Sequence, residues 1–275
     1  MPIGLGATLG IGGGRASTSS GAPGGGAAPP PPAELAYPGG LWTTSDYECS
    51  VQPIYHFDAS ILDGAAAANN PSAGTAVATW GNRSGQSTDY DAVQGTGVQQ
   101  PIFQDTYLDF DGTNDYLFVN NPPGLTGGEA FTLITVAYKD GTTMFAPVGK
   151  QGLINSYYLP LNYSTGTTYF LTGSGSVSTA GYGPHFNSLQ QFVLTKDTSN
   201  DVEYFLQGNN SYKTFSYGYT LSGLFGTLGH NGYYHNGRIY EVLFFDSQLS
   251  VANLNVIRTY LNNKYSGLPS STAFS

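Results

Sequence analysis

The side chains that could do chemistry in this chain are few and scattered. The stretch LDFDGTNDYLFV, Leu108 to Val119, gathers Asp109, Asp111 and Asp115 around Gly112 and Asn114. Carboxylates that close together suit a metal loop, a pair of catalytic acids, or a turn. A calcium loop needs at least about six oxygen ligands, and the EF-hand version takes a Glu at its twelfth position, which is missing here. Asp111-Gly112 and Asn114-Asp115 are residues that tolerate positive φ and bond their own backbone, so the residues predict a turn that closes a hairpin. Whether calcium also binds near Asp109, Asp111 and Asp115 is left open by the residues alone.

Other chemistries find less to work with. Glycoside hydrolysis sets two carboxylates about 5–5.5 Å apart for retention and wider for inversion. Asp201 and Glu203 share one face of a strand but lack a further acid, while the odd spacing of Glu241 and Asp246 puts them on opposite faces. GSGSVS, Gly173 to Ser178, is not a Gly-x-Ser-x-Gly elbow. His230 and His235 stand in a Gly/Asn-rich stretch without helical metal spacing. Cys49 is the single cysteine, so an intrachain disulfide and a thiolate metal site are both excluded, and it reads as a small apolar filler. No catalytic residue, metal site or cofactor is expected, and the chain is expected not to be an enzyme.

Composition says what must position these groups. Charged residues make up only 10% of the 275, against 38 Gly, 21 Tyr and 15 Phe, a balance that favours short strands and tight turns over ion-paired helices. The net charge of −9, with nine Lys and Arg scattered singly, leaves no basic stripe for nucleic acid or an anionic membrane. No apolar run approaches the roughly 20 residues that span a bilayer.

From Ile54 to Gly267 the chain repeats runs of strand formers followed by Gly/Asn/Asp/Ser clusters, as in FTLITVAY, QQFVLTKD, VEYFLQG and GRIYEVLFFD. Their loose alternation predicts strands half buried between two facing sheets. Near the end, Ser250 is placed to cap a helix whose Leu254, Ile257, Leu261 and Tyr265 fall on one face. Arg258 and Lys264 suit its C-terminal dipole, and Gly267 suits its stop.

Residues 1–35 are Gly/Pro-rich and cannot bury enough surface to order themselves alone. They show neither the basic start nor the long apolar core of a secretory signal. Ile3, Leu5, Leu9 and Ile11, set among glycines, read as an anchor that lies in a partner's groove or extends its sheet. A polyproline spacer, Pro29 to Pro32, follows. The predicted organisation is an anchor arm and linker at 1–35, a connector at 36–53, a sandwich at 54–267 and a tail at 268–275.

Two Tyr/Asn-rich stretches offer flat rings beside amide and hydroxyl groups, the combination a sugar needs. They hold Tyr157, Tyr158, Tyr163 and Tyr169, then Tyr233, Tyr234, His235 and Asn236. The same tyrosines serve equally as sandwich core or subunit interface, because each joins an apolar body to a polar tip.

In order along the chain stand Asp58-Ala-Ser60, Trp80 with its polar turn to Gly85, Phe110-Asp-Gly-x-x-Asp-Tyr116, and Gly237-x-Ile-x-Glu-Val242 with the helix behind it. This series resembles concanavalin A-like lectin/glucanase domains of the laminin-G-like type, versions of which occur in tailed-phage virion proteins. The resemblance implies an all-β, two-sheet antiparallel jelly-roll sandwich with one C-terminal helix and an extended N-terminal arm, used for binding more than for catalysis. Glucanases of this fold carry Glu-x-Asp-x-x-Glu, which is absent here. The expectation is a noncatalytic virion structural protein, a tail or head fibre or a capsid decoration subunit, assembled in the host cytoplasm. Its arm would hold other virion proteins and its body would form a homo-oligomer, a trimer in a fibre, and contact host-surface glycans. A secreted glycan-binding adhesin and a glycoside hydrolase or lyase of the same fold are the alternatives.

Overall fold

How strictly a strand alternates records what covers it. In Leu108–Asp111, Leu108 and Phe110 are buried, Asp109 is half-buried and Asp111 exposed, because one face alone meets the core. Phe131–Lys139 and Leu189–Lys196 are buried on both faces almost throughout, so their sequences lose the period of two. The computed structural model describes residues 51–85, 88–122, 129–141, 147–150, 187–198, 228–229 and 234–269. It also gives the backbone of strands at 42–44, 47–49, 124–125, 161–162, 168–172, 175–179, 201–206, 209–216 and 223–227. The arm with Ile3, Leu5, Leu9 and Ile11 lies outside the described residues.

Two antiparallel sheets carry the body. The larger runs, edge to edge, Asn209–Ser216, Asp201–Leu206, Leu189–Lys196, Phe131–Lys139, Asn236–Phe245, Leu108–Asp111 and Ile102–Phe103, with Tyr55–Asp58 also paired to Asn236–Phe245. The smaller runs Val148–Lys150, Gly223–Leu228, Leu117–Val119, Ala92–Val93 and Thr79–Trp80, with Gly124–Leu125 beside Gly223–Leu228. Between them Phe57 meets Trp80 with ring centroids 5.5 Å apart, and Tyr55 stacks on Phe244 at 5.2 Å. Leu108, Phe110, Leu117, Val119, Leu133 and Ile239 fill the same buried layer. At about 1.5–3 kcal/mol per large apolar side chain removed from water, this layer is the main drive for folding. The architecture is the all-β antiparallel sandwich with a C-terminal helix that the sequence predicts.

The Asp-Gly-Thr-Asn-Asp segment is a turn, as expected, but it closes no hairpin. Asp111 Oδ1 accepts from the backbone N–H groups of Thr113 and Asn114 at 2.7 and 3.1 Å, and Asp115 Oδ2 accepts from that of Asp111 at 3.0 Å. Its flanking strands belong to different sheets: Leu108–Asp111 pairs with Asn236–Phe245 and Ile102–Phe103, Leu117–Val119 with Gly223–Leu228 and Ala92–Val93. The segment is therefore an arch between sheets. Burial explains the difference, since Leu108 and Phe110 enter from one side the same core that Leu117 and Val119 enter from the other.

The helix Val251–Lys264 covers the outer face of the larger sheet. Ser250 Oγ caps it by accepting from the Asn253 N–H at 3.3 Å. Leu254, Ile257 and Leu261 bury their stripe against Ile134, Val136, Leu243 and Phe245. Tyr265 already leaves helical geometry, ahead of the expected stop at Gly267, and its hydroxyl donates to Glu241 at 2.8 Å. Leu268 buries in the same layer, so packing continues just past Gly267.

One irregularity in the closing strand Asn236–Phe245 sets up the site. Val136 pairs with Glu241 but Ala137 with Ile239, which leaves Tyr240 as the extra residue of a β-bulge. The phase of the strand shifts there. Ile239 and Val242 both enter the sandwich core, while the consecutive Tyr240 and Glu241 both meet Tyr265 on the helix side. Close approach of the central strand depends on Gly237, whose φ is 140° and whose added Cβ would lie 2.2 Å from the Tyr138 carbonyl oxygen. Gly237→Ala should lower stability in urea unfolding by about 2 kcal/mol or more, while Gly95→Ala, which meets nothing within 4 Å, stays within about 0.5 kcal/mol. Equal midpoints for the two variants would contradict the close approach.

Candidate functional site

Beneath the end of the helix, four segments far apart in sequence meet in one buried polar cluster. The opening strand Tyr55–Asp58 turns Tyr55 and Phe57 into the sandwich core and therefore His56 and Asp58 to the helix side. Glu241 lies directly opposite Asp58 in the register of the two strands. Arg83 arrives on the turn after Trp80, fastened by the Arg83 N–H to the His56 carbonyl at 2.9 Å and by the His56 N–H to Asn82 Oδ1 at 2.9 Å. The helix end adds Tyr260, Lys264 and Tyr265.

Their bonds interlock. Asp58 Oδ2 pairs with the Arg83 guanidinium and, at 2.7 Å, with the Lys264 ammonium. Asp58 Oδ1 accepts from the Ser60 hydroxyl at 2.6 Å and the Ser60 N–H at 3.0 Å. Glu241 Oε2 accepts from Lys264 at 2.9 Å and the Tyr265 hydroxyl at 2.8 Å. Glu241 Oε1 takes His56 Nε2 at 2.6 Å and the Tyr260 hydroxyl at 3.2 Å.

Charge balance fixes the protonation states. Burial pushes the carboxyls of Asp58 and Glu241 up, but Lys264, with Arg83 beside Asp58 and His56 beside Glu241, more than offsets it and holds both below the usual carboxylate range. Two carboxylates then face two cations. A proton on His56 would leave an uncompensated buried charge, so burial holds the imidazole below its usual range and it donates its Nε2–H to Glu241 as a neutral ring.

His56, Asp58 and Glu241 bring ligand atoms within 4.8 Å of one another, a grouping that suits a metal ion by residue type. The positions such an ion would take are held by Lys264 and Arg83, which bond the same carboxylate oxygens. The cluster supplies its own counter-ions, and neither carboxylate presents a free face for acid–base work.

Directly outside lies a groove of about 620 Å³ lined by Ser60, Tyr138, Arg238, Tyr240, Lys264 and Tyr265, among others. The Arg238 guanidinium sits 4.5 Å from the Tyr138 ring centroid and 5.2 Å from that of Tyr107. Tyr240 meets Tyr107 at 5.1 Å and Tyr265 edge-on at 5.6 Å. The bulge thus gives two neighbouring residues to two neighbouring places, Glu241 to the buried cluster and Tyr240 to the groove wall.

The tyrosine stretches singled out in the sequence do not build this site. Tyr157, Tyr158, Tyr163 and Tyr233 lie outside the described residues, and Tyr169 belongs to the strand Thr168–Thr172, where the backbone alone is described. His235 is fully buried, edge-on to Phe110 at 5.8 Å, so it cannot touch a glycan; the alternation that turns Arg238 outward turns it inward. Tyr234 and Asn236 are half-buried, with Asn236 opposite Asp111 in the ladder. Sequence reasoning missed Tyr107, Tyr138, Arg238, Tyr240 and Tyr265. The i, i+2 spacing of Arg238 and Tyr240 was a signal for two of them.

No family model and no curated protein matches this chain. Solved structures resemble it. The Trypanosoma rangeli sialidase with 2,3-difluorosialic acid, a covalent intermediate, is 14% identical over 78% of this chain and 34% of that chain, with a TM-score of 0.52. The same sialidase with sialic acid is 15% identical over 71% and 33%, at 0.50. The binding domain of botulinum neurotoxin serotype D is 11% identical over 78% and 53%, also at 0.50. The chain spans about a third of the sialidase and about half of the toxin domain. Such likeness establishes the β-sandwich fold.

Two outcomes follow from the charge balance. Lys264→Met should destabilise the fold by about 3 kcal/mol in urea unfolding, because Asp58 and Glu241 lose the cation they share; a loss under about 1 kcal/mol would mean water already solvates them. Stability should also fall with pH. His56 and His235 both fold neutral, His235 held down to about 3 by burial. Unfolded histidine binds a proton below about 6.5, so the stability present above that pH is lost as pH drops, with His235 accounting for about 1.4 kcal/mol by roughly pH 5.5. Asp58 and Glu241, whose folded values are depressed, add a loss of the same sign below about pH 4. A urea midpoint that stays flat between about pH 7.5 and 5.5 would contradict the neutral imidazoles.

Proposed function

We propose that this sandwich is a noncatalytic glycan-binding module of the concanavalin A-like, laminin-G-like kind, carried on a phage virion protein as a fibre or decoration subunit. The observation that carries the glycan reading is the groove beside the helix end. It offers the half-buried Tyr240 as an aromatic wall and Ser60, Thr106 and Ser266 as hydroxyls, a surface for the apolar face and hydroxyls of a sugar. The noncatalytic reading is supported by Asp58 and Glu241, each tied to a cation and shut from solvent. The neighbours accord with the glycan reading alone, one being a sialidase bound to sialic acid and the other a toxin binding domain.

The virion reading draws support from the sequence of the arm. Ile3, Leu5, Leu9 and Ile11 would anchor it to other virion proteins during assembly in the host cytoplasm, with the body repeated in a homo-oligomer so that weak sugar contacts add by avidity.

A glycan array followed by titration calorimetry tests the first part: binding should be seen, and Tyr240→Ala should weaken it about tenfold. An array with no hit would defeat the reading. Glycan cleavage that disappears in Glu203→Gln would replace the module with an enzyme. For the second part, mass spectrometry of purified particles should find the chain, and deletion of residues 1–35 should abolish incorporation while the urea midpoint of the body is kept.

A further inference from the structure

The cations around the groove differ in what they have left to offer. The Lys264 ammonium is saturated, with its donors on Asp58, Glu241 and the Tyr260 hydroxyl. Arg83 is buried on Asp58. Arg238 is half-buried on the groove wall, and among the described residues it forms no ion pair with a carboxylate. Asp109 stands opposite in the ladder and Asp140 is near enough to favour its charge, but neither forms an ion pair with it.

Its surroundings select a ligand. The Tyr107 and Tyr138 ring centroids lie 5.2 and 4.5 Å from the guanidinium carbon, which places its N–H donors beside aromatic rings on the groove wall. A planar guanidinium fork is matched by a planar two-oxygen anion, bonded bidentately. Polyanions are disfavoured, because Arg238, the one groove cation among the described residues that is not already ion-paired, cannot offset their repulsion by a chain of net charge −9. What suits the groove is one carboxylate on an otherwise neutral, hydroxylated body. Tyr240, half-buried on the groove wall, offers that body an aromatic surface. Ser60, whose own proton is committed to Asp58, offers it an acceptor.

We infer that the groove takes a carboxylate-bearing sugar, a uronic acid or a nonulosonic acid, with its carboxylate on Arg238 and its ring against Tyr240. This rests on the glycan-binding reading above. The bulge at Tyr240 is what makes the arrangement possible, since it brings the sugar wall and the anchor of the buried cluster onto one side of the strand.

Titration calorimetry on the full chain with oligogalacturonide, sialyllactose, carboxyl-reduced oligogalacturonide and lactose tests it. One of the two acids should bind at least about tenfold more tightly than its neutral counterpart, and which one does so names the acid. Arg238→Gln should erase that preference, and Thr106→Glu, an exposed change at the groove's edge, should weaken the acid more than the neutral sugar by repulsion. Higher salt should weaken the acid more than the neutral sugar. Neutral sugars binding as tightly as acids, with Arg238→Gln unchanged, would overturn the acid assignment and leave glycan binding standing. Inorganic phosphate competing as well as the acid would overturn the sugar assignment, and no binding to any of the four sugars would defeat both.

Discussion

Burying two carboxylates in a protein is tolerable only if each finds a cation and every remaining lone pair finds a donor. Asp58 and Glu241 meet that condition through Arg83, Lys264, His56, Ser60, Tyr260 and Tyr265, drawn from the opening strand, the turn after Trp80, the closing strand and the helix end. Apolar packing in the same volume would hold the sheet as well or better. A slip of one residue, which already turns Tyr55 and Phe57 out of the core, would here also strand a charge in the interior. The cluster therefore acts on register and on helix placement more than on total stability.

Registration of the helix matters because the larger sheet is buried on both sides. Its inner face makes the sandwich core and its outer face meets Leu254, Ile257 and Leu261, so the apolar stripe alone would accept neighbouring helix positions. Lys264 and Tyr265 remove that freedom. The bulge at Tyr240 completes the arrangement by sending two consecutive residues to the same side, one into the cluster and one onto the groove wall. In this way the rigidity of a buried salt network is lent to an open surface, and preorganised walls lower the entropy a weak ligand such as a sugar must overcome.

Division of labour among the cations follows from the same geometry. Arg83 and Lys264 are spent inside, and Arg238, beside the rings of Tyr107 and Tyr138, lines the groove. The strand that supplies Glu241 also supplies Arg238, and between them lie Ile239, which belongs to the core, and Tyr240, which belongs to the bulge. Fold and site are therefore built from one element read on its two faces.

The sequence by itself determined the local features. Strand runs, the helix with its Ser250 cap and apolar stripe, and the turn chemistry of Asp111 and Asp115 are governed by near neighbours, and each was legible. The resemblance motifs were legible as motifs too: Asp58 to Ser60, the turn after Trp80 and the strand through Glu241 were recognised singly, without the reason they occur together. Tertiary structure decided the rest. It made the Asp111 turn an arch, buried His235, converted Lys264 from a dipole partner into a shared counter-ion, and gathered Tyr107, Tyr138 and Tyr240 around Arg238. Pairing between distant strands is set by which faces must be buried together, and a single bulge reverses the face of every residue beyond it, which no local pattern records.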